Sequence, residues 1–188
     1  SEVASDWANI QAVKEEEAPI EDAIYIANAG LVLLNPYFVR LFKKFDMLEG
    51  NKFVSDEAAA KAVHMMQFMI TGQLNTPESD LALNKLLCGI PLALPIPREL
   101  ELTEAEQNMC ISLLKGVIAN WSKMSGTSVE SFRETFLVRD ARITELDEYW
   151  QLTVETKAYD LLLASLPWRI STIRLPWMRK PLFVDWEV

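Results

Sequence analysis

The sequence predicts an α+β fold, with a predominantly helical N-terminal two-thirds packed on a small, mainly antiparallel C-terminal β-sheet. Two observations carry this reading. As far as Leu137, apolar residues recur at three- and four-residue spacing between capping signals; beyond it the pattern alternates and is rich in β-branched and aromatic residues. Helices first and strands after is a segregated order, which fits helices covering one face of an antiparallel sheet rather than an alternating α/β fold.

Residues 1–19 are polar and acidic, with Glu15, Glu16 and Glu17 in a row before Pro19, and they read as a flexible leader or linker. A single globular domain is expected over 20–188. Apolar residues are dense from Glu21 to Leu34, where Asn35-Pro36 breaks the run and Pro36 opens a helix carrying Tyr37, Leu41, Phe42 and Phe45 on one side, stopped at Gly50. Ser55 caps the next helix, with Asp56 and Glu57 in its first turn, and Gly72 ends it. Thr76-Pro77-Glu78 opens a further helix ending near Gly89, and Pro91, Pro95 and Pro97 make an extended connector.

Thr103 and Glu106 have the spacing of a capping box before a helix through Trp121, and Thr127 with Glu130 repeats the signature before Phe132 and Phe136. Ala141–Leu146 and Tyr149–Glu155 read as a hairpin. Tyr159 to Leu166 is apolar and helical, while Trp168 to Leu175 and Leu182 to Trp186 read as strands separated by Pro176 to Pro181.

The formal net charge is −9 and the pI about 4.7, so the field of the folded chain repels phosphate backbones and anionic headgroups; neither nucleic acid nor a membrane surface is an expected partner. No apolar run reaches the roughly 18 residues of a membrane span. Cys88 and Cys110, flanked by apolar residues, read as buried thiols in a reducing compartment.

The residues for catalysis are sparse. The one histidine, His64, lies beside Met65 and Met66 in a helix with no partner motif, so a packed imidazole is expected rather than a proton carrier. Three Cys and His residues, each more than twenty positions from the next, do not make a zinc site. The carboxylate clusters sit at caps, turns and the leader, where solvation or a helix dipole accounts for them. The six glycines are scattered and form no phosphate-binding loop. No catalytic residue, metal or cofactor is expected.

The six tryptophans are unusual, because Trp150, Trp168, Trp177 and Trp186 fall in the last 40 residues. Packing between sheet and helices is one reading; a partner surface anchored by Trp and Arg is the other. The interface candidates are Trp177 and Met178, between flanking prolines, together with Trp168 and Arg179.

Four segments carry a resemblance: Ala29-Gly-Leu-Val-Leu-Leu-Asn-Pro-Tyr37, Leu83-Asn-Lys-Leu-Leu-Cys-Gly89, Thr127-Ser-Val-Glu-Ser-Phe-Arg-Glu-Thr-Phe-Leu137 and Leu175-Pro-Trp-Met178. In this order and spacing, over residues 20 to 187, the chain resembles the tape measure proteins of contractile injection systems. The resemblance implies a component of a phage-tail-like particle, in which a contractile sheath surrounds a tube ending in a spike and a tape measure sets tube length. It implies no reaction. The implied partners are the inner tube, the baseplate or spike hub, and assembly factors, with the protein in the cytoplasm during assembly and in the particle afterwards. Even wholly helical, the chain would extend only about 280 Å, and its prolines forbid that form. A globule with a radius of gyration of about 16 Å suits an end anchor better than a ruler. The alternative role is a module that recruits or retains cargo in the tube.

Overall fold

The computed structural model describes residues 23–98 and 100–187. The expected leader 1–19, its glutamate run, Trp7 and the expected start of the fold near Ile20 lie outside the described residues. The chain opens with strand β1, Ile24–Ile26, and a 3-10 helix, Ala29–Leu34, every residue of which is buried. Gly30 is required there: a Cβ would stand 2.2 Å from the Leu137 backbone. Helix α1, Asn35–Lys44, follows without a gap, with Pro36 in its first turn, where no amide donor is needed.

A tight hairpin of β2, Leu48–Glu49, and β3, Lys52–Phe53, turns at Gly50. Helix α2, Asp56–Thr71, is capped by Ser55, whose Oγ accepts from the Ala58 amide at 3.0 Å, and closes at Gly72. It is buried on nearly every side, so it forms the centre of the helical layer. Arg133 reaches over to donate to the Met69 and Phe68 carbonyls at its C-terminal end.

Helix α3 is short, Ala82–Leu87, preceded by one 3-10 turn at Glu78–Asp80. Helix α4, Glu104–Asn120, opens on the capping box expected at Thr103 and Glu106. In helix α5, Val129–Phe132, the cap is Ser128, one residue later than the sequence signature places it; Arg133–Leu137 then widens into a π turn.

Strands β4, Ala141–Glu145, and β5, Trp150–Val154, form the expected antiparallel hairpin. A 3-10 helix, Ala158–Ser165, leads to β6, Thr172–Ile173, and β7, Leu182–Asp185.

The sheet corrects the expected fold class. Its five strands run in the order β1-β4-β5-β7-β6, and β5 pairs with β7 in parallel, so the sheet is mixed rather than mainly antiparallel. The stretch from Glu155 to Pro181 exceeds the dozen or so residues a parallel crossover needs, and β7 inserts between β5 and β6, parallel to the first and antiparallel to the second. The sheet is not purely C-terminal either, since β1 forms one edge. Nor is the N-terminal portion predominantly helical: β1, the β2–β3 hairpin and the proline connector interrupt it. β1 and β2 are too short for alternation to register, so nothing in their own residues separates them from helix ends.

Alternation places Ile24, Ile26, Ala141, Ile143, Leu152, Val154, Leu182 and Ile173 on the face that shares one apolar core with the helices. Two polar networks are sealed into this body. Asn28, Gln67 and Asn84 bond one another at 2.6–3.2 Å and tie the end of β1 to α2 and α3. Arg139 and Asp160, each 2 % exposed, form a two-pronged pair at 2.7 and 2.9 Å. The Asp160 carboxylate also accepts from the Lys157 amide and the Trp186 indole, and the guanidinium donates to the Thr135 and Glu155 carbonyls. Both terminal nitrogens of the guanidinium and both carboxylate oxygens have partners, which is what makes burying the pair tolerable.

Candidate partner interface

Of the four residues proposed as interface anchors, three are turned to structural use. Trp177 is half-buried; its indole donates to the Leu87 carbonyl at 2.7 Å, and its rings lie 4.9 Å from Phe53 and 5.8 Å from Phe42. Met178 is 7 % exposed, with its sulfur accepting from the Leu175 amide. Trp168, also half-buried, donates to the Leu33 carbonyl at 2.9 Å and meets Tyr37 edge-on. Arg179 differs. It is exposed, and among the described residues it has neither a hydrogen bond nor an ion pair.

Arg179 stands at the rim of a cleft of about 330 Å³ between the C-terminal end of α3, the connector that follows it and the end of the sheet. The reason for the cleft lies in strand register. Glu145 and Trp150 pair across β4 and β5 and continue the core-facing row of Ile143 and Leu152, yet Glu145 is exposed and Trp150 half-buried because the sheet outruns the helical layer there.

The opposite wall is the proline connector, strapped down by Lys85. This lysine is 2 % exposed and its ammonium donates to the Leu92 and Leu94 carbonyls and to Glu78, while Glu78 also accepts from the Ile96 amide. The hydrogen bond from Lys85 holds the Glu78 carboxyl below the usual carboxylate range. Further along the strap, the Pro97 carbonyl lies 2.7 Å from His64 Nε2. Gly89 makes the turn from α3 into the strap: its φ is +70°, and a Cβ would sit 2.4 Å from the Trp177 carbonyl oxygen. On the near rim Lys180 lies over the Trp150 ring and bonds Glu145 and the Leu146 carbonyl.

Of the residues lining this cleft, sequence reasoning singled out Arg179 alone as an interface candidate and did not join Trp150, Lys180 or the strap to it as parts of one feature. The only signal available was the Glu145–Trp150 register, and that requires knowing where the helices end.

The remaining candidates for chemistry are packed. Burial raises the Cys88 thiol far above its ordinary range and pushes Cys110, with the Glu106 carboxylate adding to the effect, up to about 12, so both stay protonated near neutrality. His64 is buried against the strap and lines none of the clefts described. Among the described residues no three His, Cys, Asp or Glu side chains converge as metal ligands, and no helix is long and apolar enough to cross a membrane.

The pattern that defines the contractile injection system tape measure proteins matches residues 2–186. The chain belongs to that family. Members are structural components of the particle and interact with its other components. No curated protein and no solved structure matches this tape measure family member. Two of the segments that carried the resemblance now have physical roles: Ala29–Tyr37 is the buried 3-10 helix running into α1, and Leu175–Met178 is the turn that pins Trp177 to α3.

Proposed function

We propose that this chain is a non-catalytic assembly module of a contractile injection particle, helping to set inner-tube length by anchoring at a tube end or at the baseplate-spike hub. It acts in the cytoplasm while the particle assembles. The observation that supports this reading is shape. Among the described residues the longest helix, α4, has 17 residues, about 25 Å at 1.5 Å per residue, and it packs against α1, α2 and α5 within one body instead of extending along an axis. Such a body can mark one end of a tube but not span it.

Electron microscopy of particles from cells lacking this domain tests the reading. Absent tubes or a broad length distribution is the expected outcome. Uniform tubes of normal length would overturn it.

Cargo retention is the second reading, favoured by the open cleft beside Arg179. Trp177 is a poor probe of it, because its replacement would also remove the Leu87 hydrogen bond and the contacts with Phe42 and Phe53. Arg179→Glu leaves those contacts in place; loss of cargo with unchanged tube length in that variant would favour retention over anchoring.

A further inference from the structure

Two unengaged donors flank the apolar cleft: the Arg179 guanidinium and the Trp150 indole N–H, the one described tryptophan without a hydrogen-bond acceptor in the protein. A second hollow of about 490 Å³ shares Leu92, Glu145, Trp150 and Lys180 with the first, so the two make one groove. One end opens at Arg179 and the other at the exposed Asp147. The groove is preformed, since Lys85 fixes the strap on one side and the ladder of β4 and β5 fixes the other, which removes much of the ordering cost of binding.

We infer that this groove binds an extended peptide segment of another particle protein, seating one large apolar side chain against Trp150 and Leu92 and placing a carboxylate on Arg179. The inference rests on the reading of the chain as an assembly module. Volume favours one inserted side chain over a whole helix. Charge then orients the segment. Lys180 is already engaged by Glu145, so Arg179 is the rim cation free to meet a carboxylate. Asp147 at the far end calls for a basic or neutral residue. The net charge of −9 disfavours a polyanion, whether nucleic acid or a strongly acidic chain, and also disfavours a second copy.

The test uses the purified 188-residue chain and synthetic nonapeptides, acetylated and amidated. Each has Leu, Phe or Ser at its centre, Glu on one side and Lys on the other, in both orders. Fluorescence anisotropy should show an apolar-centred peptide of one charge order binding at least about tenfold tighter than its Ser-centred counterpart. Arg179→Glu should weaken it about fivefold or more without moving the thermal midpoint, and binding should shift the Trp150 indole resonance, assigned with Trp150→Phe.

Equal binding of Leu- and Ser-centred peptides, or an unchanged affinity in Arg179→Glu, would overturn the inference. Tube length answers the assembly question separately: peptide binding with normal tubes after deletion keeps the groove and rejects the anchoring role, while no binding with aberrant tubes does the reverse.

Discussion

Arg139 and Asp160 show how much a single residue can carry here. A carboxylate and a guanidinium this deeply buried survive because each charge has its counter-charge, and both carboxylate oxygens and both terminal guanidinium nitrogens have hydrogen-bond partners. Asp160→Asn keeps the shape and removes the charge, leaving a buried guanidinium uncompensated, at an expected cost of about 3–5 kcal/mol. Urea denaturation measures it, and a loss below about 1 kcal/mol would mean that the pair contributes little. Nothing in the sequence singles out this pair: Asp160 is one acid in an apolar run, 21 positions from Arg139. Cys88, Cys110 and His64 are legible because flanking apolar residues announce burial, whereas a buried ion pair depends on which distant chain segment arrives. The same limit hid Trp150, whose neighbours along the chain say nothing of the strap facing it.

Elements are legible where their signals are local. The caps at Ser55 and Thr103 stand where the sequence places them because a cap is a contact between residues three apart. Glu106 completes its cap and pairs with Lys61 at 2.7 Å. Burial opposes its charge, but the hydrogen bonds from Lys61 and the Thr103 amide outweigh it and hold the carboxyl below its ordinary value of 4.5. A depressed folded value means that the folded state binds fewer protons than the unfolded chain. The stabilisation is therefore complete above about pH 4.5 and is lost as pH falls through the folded value. Glu78 adds in the same direction through Lys85. Glu106→Gln retains an amide oxygen to accept from Thr103 and loses the titration. Its cost at pH 7 should stay under about 1 kcal/mol, and the drop in urea midpoint between pH 7 and pH 3.5 should shrink. Parallel drops in both proteins would place the acid sensitivity elsewhere. Distant pairings were not legible: the three residues of β1 become a strand only through β4, and Leu182–Asp185, legible as a strand, takes its parallel place beside β5 only in the fold.

For the molecule as a whole, topology makes a claim that individual elements do not. The first described strand and the last one lie in the same sheet, joined through the β4–β5 hairpin, and β7 stands between β5 and the edge strand β6. No part of the sheet is complete until both ends of the described chain have arrived. The helical layer is tied in by contacts of equally long range: Trp168 to Leu33 across 135 positions and Trp177 to Leu87 across 90. A helical half that melted separately would have to break those ties first. We therefore expect one cooperative unit, with unfolding followed by tryptophan fluorescence, which reports Trp121, Trp168 and Trp177 at the junction of layers, coinciding with far-ultraviolet circular dichroism, which reports mostly helix. Truncation after Lys180, which removes β7 and the Trp186 bond to Asp160, should abolish the transition instead of lowering its midpoint by a few degrees. Two separated transitions in the intact chain, or a cooperative transition surviving the truncation, would show that the helices form a body of their own and that the sheet is an appendage to it.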